Sequence, residues 1–227
     1  MIDRIHVIGS GRVGSAVAAR LSERGVAVRV GRTVEDDPQL VLLCVPDTAI
    51  ADVARGLTPG PLVAHTSGAT PLAALDPHVR RLSVHPLQTF TRSRGPEQLD
   101  GAWAAVTADT DEARNAGLWL AETLGLRPFE LADSARTLYH AGAVFASNYI
   151  VTLQRAASLL FESAGAPPEA LEPLMRRTIE NDFELTGPIA RGDWSTVEAH
   201  RAAIRAARPE LEQLYETLAG GTLALAT

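Results

Sequence analysis

Gly9, Gly11 and Gly14 stand directly behind an apolar run, Ile5-His6-Val7-Ile8, and a helical pattern of Val13, Val17, Ala18 and Leu21 begins at once. At a strand-to-helix turn such a triplet suits phosphate chemistry. The first glycine permits the tight turn, the second lets backbone approach a pyrophosphate, and the third lets the helix pack on the strand, while the first helical N–H groups face the anion. Gly9, Ser10, Gly11, Arg12, Val13 and Gly14 are therefore candidate contacts to a dinucleotide; glycines that serve only a tight turn are the alternative. About 20 residues beyond the glycines, where an acid would grip a free ribose 2′-hydroxyl, the sequence has Arg32-Thr33 instead. A guanidinium beside a hydroxyl chelates a 2′-phosphate, so the expected cofactor is NADP rather than NAD.

Further polar residues follow later strand patterns. In Val45-Pro46-Asp47 the backbone of Val45 and Pro46 is expected to lie against the cofactor, with Asp47 or Thr48 capping the next helix. His65-Thr66-Ser67-Gly68 and His85-Pro86-Leu87-Gln88 put two histidines at successive strand ends, converging on one crevice, with His65 and Ser67 on the cofactor side. His140, Val144, Ser147, Asn148 and Val151 recur at helical intervals and share one face of a long helix. Its polar members serve either an interhelical hydrogen-bond network or a ligand.

Hydride transfer to a carbonyl or imine requires a proton donor near the reacting oxygen or nitrogen. His140 is the candidate, since an unperturbed imidazole titrates near pH 6.5. Asn148 and Ser147 would hold the substrate and His85 would close the site from the cofactor side. Arg191, in Gly187-Pro188-Ile189-Ala190-Arg191-Gly192-Asp193, would fork a substrate carboxylate, unless it is a surface arginine beside a helix start; Asp193 is expected to cap the following helix. His200 reads as a packing or surface residue.

The elements that must position these groups alternate in the first half. Strand patterns lie at 5–8, 27–30, 41–45, 62–65, 82–85, 104–107 and near Phe129, with helix patterns at 12–24, 47–56 and 111–124. Short, continuously apolar strands between helices predict an α/β fold, a doubly wound, mostly parallel sheet covered on both faces. Only about ten residues separate the second and third strands, so a helix there is absent or reduced to a turn. From Ser134 strand signals stop. A helix of roughly 30 residues, about 45 Å, begins there, only weakly interrupted by Gly142. Helices at 167–181, up to Arg208 and from Pro209 to about Leu218 follow, with 220–227 as a soft tail. The division is thus a nucleotide-binding domain, 1–131, and a helical domain, 132–227. The long helix exceeds what so small a domain can cover, and its apolar and small residues predict a homodimer packed through it.

Composition narrows the possibilities. The net charge is -6 and no basic cluster occurs, which argues against nucleic acid or an anionic membrane as partner. No run approaches eighteen apolar residues and the chain enters a strand at once, so neither a membrane span nor a signal peptide is read, and a cytoplasmic location is expected. Cys44, the single cysteine, lies in an apolar run and reads as core; no disulfide within the chain and no metal site is expected. All 21 basic residues are arginine, so no lysine can form a Schiff base or act as a general acid.

Gly9 to Gly14, Val45-Pro46-Asp47, His65 to Gly68, His85 to Gln88, His140 to Tyr149 and Thr186 to Asp193 together carry a resemblance over nearly the whole chain. The chain resembles the predicted Rossmann-fold oxidoreductases with a helical C-terminal domain of unknown function, relatives of 6-phosphogluconate dehydrogenase, pyrroline-5-carboxylate reductase and ketopantoate reductase. The resemblance implies an NADP-binding Rossmann domain, an all-helical dimerisation domain, a site between them, and a small carbonyl or imine substrate, in some relatives a 2-oxo acid such as ketopantoate. In the wider superfamily a helix lysine polarises the substrate, with an asparagine one turn later. Asn148 fits the asparagine, but Val144 holds the lysine's place. A non-catalytic NADP(H) sensor or partner-binding protein is the alternative outside enzymes, and a deazaflavin-dependent NADP reductase the alternative within them.

Overall fold

Leu40, Val41, Leu42 and Leu43 are all fully buried, which a strand achieves only when both faces of its sheet are covered. The computed structural model, describing residues 2–35 and 37–225, builds that sheet from β1 (Arg4–Ile8), β2 (Ala27–Val30), β3 (Leu40–Leu43), β4 (Leu62–His65), β5 (Arg81–Leu87), β6 (Trp103–Ala108) and β7 (Arg127–Glu130). The order is β2-β1-β3-β4-β5-β6-β7. The chain is thus the expected α/β fold, a mostly parallel sheet followed by helices.

Alternation sorts the strand side chains onto two faces. Leu40, Leu42, Leu62, Ala64, Leu82 and Val84 pack with α1 (Arg12–Glu23) and α3 (Asp111–Thr123). Val41, Leu43 and Val63 pack on the other face with Ile50 and Ala54 of α2 (Ile50–Arg55) and a 3-10 turn at Leu72–Leu75. Ser83 and His85 fall on this second face, because they alternate with Leu82 and Val84.

The sheet departs from uniform parallel pairing at one join. The β1 to β5 strands pair in parallel, but β5 and β6 pair antiparallel. The connecting residues, 88–102, form only a 3-10 turn at Pro96–Leu99, and without a crossover helix the next strand must run back beside its predecessor. Between β2 and β3 the described residues form no helix, as their spacing implies.

The long helix differs from expectation. After a 3-10 turn at Asp133–Ala135, α4 (Arg136–Val144) gives way to a π-helical turn at Phe145–Tyr149 and then to α5 (Ile150–Ser163). Gly142 lies inside α4 without breaking it. The α period used to assign Ser147 and Asn148 to the face of His140 therefore does not run through this segment.

Contacts group the chain into units Met1–Val144 and Phe145–Thr227. The last strand ends at Glu130, next to the division expected near 131, whereas α4 groups with the sheet. In the second unit α5 is followed by α6 (Leu171–Glu180), α7 (Trp194–Ala207) and α8 (Glu212–Leu225). The soft tail expected from residue 220 is instead helical to Leu225, and Ala226 and Thr227 lie outside the described residues.

The glycine turn is the tightest point of the sheet unit. Gly9 has φ +116°, and a Cβ there would lie 2.3 Å from the Cys44 carbonyl oxygen; one on Gly14 would lie 1.9 Å from the Gly9 carbonyl oxygen. A Cβ on Gly11 would meet nothing within 4 Å. Gly14→Ala is expected to cost at least about 3 kcal/mol by chemical denaturation, because the strand must move to admit the methyl group. Gly11→Ala meets no steric obstacle and is expected to cost only about 1 kcal/mol, the preference for glycine over alanine at a helix N-cap; equal losses at the two positions would contradict this geometry.

Candidate functional site

The turn between β1 and α1 is shaped as an anion cradle. Gly11 is the α1 N-cap, extended at φ -72° and ψ -171°, and no side chain caps the helix. The helix N-terminus is thus left for a ligand or water. Gly9 and Gly14 are glycine because protein atoms require it, whereas the space beside Gly11 is open to an approaching molecule. Ser10 and Arg12 are exposed, and Val13 is partly buried against the first core. A cavity of about 320 Å³ adjoins the turn, lined by Gly11, Arg12, Ser15, Arg92 and Arg94 among others. Arg92 and Arg94 escaped sequence reading because Thr91-Arg92-Ser93-Arg94 follows no strand pattern. These residues fit a dinucleotide's phosphates: uncapped helix, open glycine, arginines.

Arg32 and Thr33 are exposed just beyond β2. Their loop is tied at its root, where the Gly31 N–H donates to the Val7 carbonyl at 3.1 Å. His6 Nε2 lies 3.1 Å from the Gly31 carbonyl, and since a carbonyl only accepts, the imidazole donates. His6 Nδ1 is then left buried without a hydrogen-bond partner.

After β3, Val45 is partly buried, Pro46 and Asp47 are exposed, and a 3-10 turn spans Asp47–Ala49. Neither that turn nor α2 has a side-chain cap, which corrects the capping role expected of Asp47 or Thr48: the Pro46 carbonyl closes the turn by accepting from Ala49 N–H. The Asp47 carboxylate instead acts through space on His85 and Arg136. Cys44 matches its reading as a core residue; burial pushes its thiol up to about 12.

Beyond β4 and along β5 lies a polar cluster. His65 is fully buried, and its Nδ1 accepts from the Ser67 N–H at 3.2 Å, leaving Nε2 buried and unpartnered. Burial, with the nearby Arg136 charge, pulls His65 down to about 3. The Ser67 hydroxyl is consumed in its own turn, donating to Thr70 Oγ1 and accepting from the Ala69 and Thr70 N–H groups. These bonds make Ser67 a turn former that fixes the loop after β4, where its cofactor contact is expected.

The decisive contact is at Gly68. A Cβ there would lie 2.6 Å from His140 Cδ2 and 2.9 Å from both Cε1 and Nε2 of His85. Only a glycine lets these two rings close over the backbone, 6.0 Å apart between centroids. The structure thus brings together His85 and His140, which the sequence placed 55 positions apart. It adds Tyr139, whose hydroxyl lies 2.8 Å from His85 Nδ1 and whose ring meets Phe129. Burial pulls His85 down to about 4, helped by the charges of His140 and Arg136, and pushes Tyr139 up to about 12.

Beneath this cluster sits Arg136, 1% exposed. Nη1 donates to Thr107 Oγ1 at 2.9 Å and Nη2 to the Ser67 carbonyl, while Nε lies 3.9 Å from Asp133 Oδ1. Asp133 in turn accepts from the Leu72 N–H at 3.0 Å. Sequence reading missed both Arg136 and Tyr139, although positions 136, 139 and 140 share a helical face.

The remaining candidates lie in the helical unit. The Ser147 hydroxyl donates to Asn148 Oδ1 at 3.2 Å within the π-turn. Arg191 is exposed and closes its own loop through Nη1 to the Thr186 carbonyl at 2.7 Å. Asp193 caps α7 by accepting from the Thr196 N–H at 3.1 Å, as expected, and its acceptor bonds hold it down at about 2. His200 pairs with the Tyr215 hydroxyl at 2.8 Å.

Known proteins share this architecture. A candidate NADP oxidoreductase from Bacteroides fragilis aligns with TM-score 0.83 and 22% identity over 98% of both chains. A protein from Thermotoga maritima aligns with TM-score 0.77 and 24% identity over 98% of this chain and 97% of its own. A reductive aminase from Aspergillus terreus, in complex with NADPH and ethyl-5-oxohexanoate, aligns with TM-score 0.70 and 12% identity over 99% of this chain and 94% of its own. At such identities the likeness is one of fold. No curated protein matches the sequence. Residues 102–222, more than half of the chain, match the model for a domain of unknown function, DUF2520, and the chain belongs to that family.

Proposed function

We propose that the protein is an NADP(H)-dependent oxidoreductase that reduces a small carbonyl or imine, with 2-oxo acids such as ketopantoate as the first substrates to try. The single observation that carries this reading is the closure of His85 and His140 over Gly68, in a fold whose glycine turn leaves open space only beside Gly11. In open sheets of this kind ligands lie at the carboxyl ends of the parallel strands, where both features occur. The NADPH-bound aminase of the same fold supports it.

In this reading the phosphates lie on Gly9, Ser10, Gly11, Arg12, Val13 and Gly14, and the 2′-phosphate on Arg32 and Thr33. Val45, Pro46, Asp47 and His65 line the inner end. When bound, the reduced cofactor supplies a hydride to the substrate carbon. The chain supplies the proton: His140 delivers it to the oxygen or nitrogen, and His85, held neutral, borders the reacting group. Ser147 and Asn148 hold the substrate and Arg191 takes a carboxylate. The functional division is that of 1–131, for cofactor, and 132–227, for His140 and assembly, in a cytoplasmic homodimer.

A shortage of core supports assembly as a homodimer. In the described part of the helical unit only Leu171, Val197 and Ile204 are buried hydrophobics, while Phe145 is 68% and Leu174 61% exposed. A helical unit that buries so little against itself needs a partner, and a second copy offers the same face.

A sensor without turnover is the second reading, favoured by Val144 in the place of the superfamily lysine. Fluorescence titration and a substrate screen separate the two. NADPH is expected to bind more tightly than NADH, and Arg32→Ala to weaken NADPH about tenfold while leaving NADH unchanged, the loss of one charge-assisted contact. His140→Ala is expected to keep NADPH affinity and lose at least about 100-fold in turnover. NADPH binding with no oxidation by any 2-oxo acid or cyclic imine supports the sensor.

The neutral histidines also predict a stability profile. An ordinary histidine is protonated below about 6.5, whereas His85 and His65 stay neutral down to about 4 and about 3. Between those limits the unfolded chain binds protons that the folded chain refuses. Their contribution is complete above about pH 6.5 and declines on acidification, by up to about 1.4 kcal/mol per pH unit for each histidine. Denaturation at a series of pH values should show this slope, and His85→Asn should remove about one proton of it; an unchanged slope in the variant contradicts a neutral His85.

A further inference from the structure

The two ring nitrogens of His85 have different surroundings. Nδ1 is held 2.8 Å from the Tyr139 hydroxyl. Nε2 lies beside Gly68, has no hydrogen-bond partner among the described residues, and is not among the atoms sealed from solvent without one. Two proton arrangements fit the Nδ1 contact. Either Tyr139 donates to a bare Nδ1 or a protonated Nδ1 donates to the phenol oxygen. The first leaves a proton on Nε2; the second leaves a lone pair there.

The surroundings decide between them. Tyr139 is held between His85 and Phe129, with ring centroids at 5.6 and 5.9 Å, so its phenol oxygen is fixed in place against His85 Nδ1. A phenol is a strong donor and, because its oxygen lone pair is delocalised into the ring, a weak acceptor, so at 2.8 Å from an imidazole nitrogen Tyr139 is the donor; burial, which raises its pKa, keeps that proton in place. The charged and titratable groups that act on His85 are His140, Arg136 and Asp47, and the two basic ones oppose a second proton on the ring. A neutral ring that accepts at Nδ1 must carry its proton at Nε2.

We propose that Tyr139 is a positioning residue that locks His85 in the neutral Nε2–H tautomer, making it a fixed hydrogen-bond donor beside Gly68 for an acceptor atom of the substrate. The identity of that acceptor, a carbonyl oxygen or imine nitrogen, rests on the oxidoreductase reading; the tautomer does not. A neutral imidazole gives up its remaining proton only at a very high pKa, so His85 polarises and does not protonate. The two histidines thus divide the work: His85 holds the acceptor atom, and the proton that completes reduction comes from His140. A ligand group that can only donate, such as an ammonium, is rejected at this position.

Nitrogen-15 NMR of histidine-labelled full-length protein tests the tautomer without any substrate. His85, assigned through its loss in His85→Asn, should show at neutral pH one protonated nitrogen, Nε2, and one bare, hydrogen-bonded nitrogen, Nδ1. Tyr139→Phe keeps the ring against Phe129 and should convert His85 to a mixture of both tautomers while His65 is unchanged. Should that variant fail to fold, incorporation of 3-fluorotyrosine, a stronger donor, should shift the His85 Nδ1 resonance and leave that of His65 in place. A proton on Nδ1, a mixture in the parent protein, or a His85 signal indifferent to both changes overturns the proposal. NADPH titration of the same sample keeps the two readings apart, since a locked tautomer without cofactor binding removes the oxidoreductase and leaves the Tyr139–His85 pair standing.

Discussion

A guanidinium sealed beneath the start of α4 fixes where the site can form. Arg136 reaches the Ser67 carbonyl after β4 and the Thr107 hydroxyl on β6, while Asp133 bonds the Leu72 backbone from the same segment. These bonds set the position of α4 on the sheet, and with it the turn that carries Tyr139 and His140 over Gly68. Burying a charge is costly, and removing its partners would cost several kcal/mol. Leucine in that place would pack without direction; the fork of Arg136 specifies one docking of the helix, because its donors point at particular acceptors. The same charge also opposes protonation of His65 and His85.

Much of this arrangement was legible in the sequence, for identifiable reasons. Leu40 to Leu43 and Leu62 to His65 are continuously apolar, and such runs announce a doubly covered strand. The glycine triplet placed its own turn, since Gly9 and Gly14 are dictated by backbone contacts that no other residue tolerates. Where local signals were weak, reading failed. The antiparallel turn-back of β6 depends on what is missing between residues 88 and 102. The π-turn at Phe145–Tyr149 has no glycine or proline to mark it. Arg136 carries no local sign of its burial, because burial of a charge is decided by acceptors distant in sequence, Ser67 and Thr107. Gly68 stood in the sequence only as part of the stretch after a strand, and its demand for a missing side chain arises only when His85 and His140 arrive from elsewhere.

The chemistry follows from what the chain lacks as much as from what it has. With no lysine anywhere, polarisation of the proposed carbonyl substrate would fall to neutral donors or to arginine. For such a substrate a neutral histidine would donate a hydrogen bond without bringing a second desolvated charge beside Arg136. The helical unit adds a separate constraint. It exposes Phe145, Leu174 and Phe183 while burying few apolar residues among those described, so under the proposed assembly its stability and its association would be one problem.

A crystal structure of the protein with NADPH would decide the central claim. The pyrophosphate is expected within hydrogen-bond distance of the backbone N–H groups at Gly11 to Val13, the 2′-phosphate at Arg32, and the nicotinamide against the His85–Gly68–His140 cluster. A nicotinamide on another face of the sheet, or a glycine turn left empty at saturating NADPH, would contradict it.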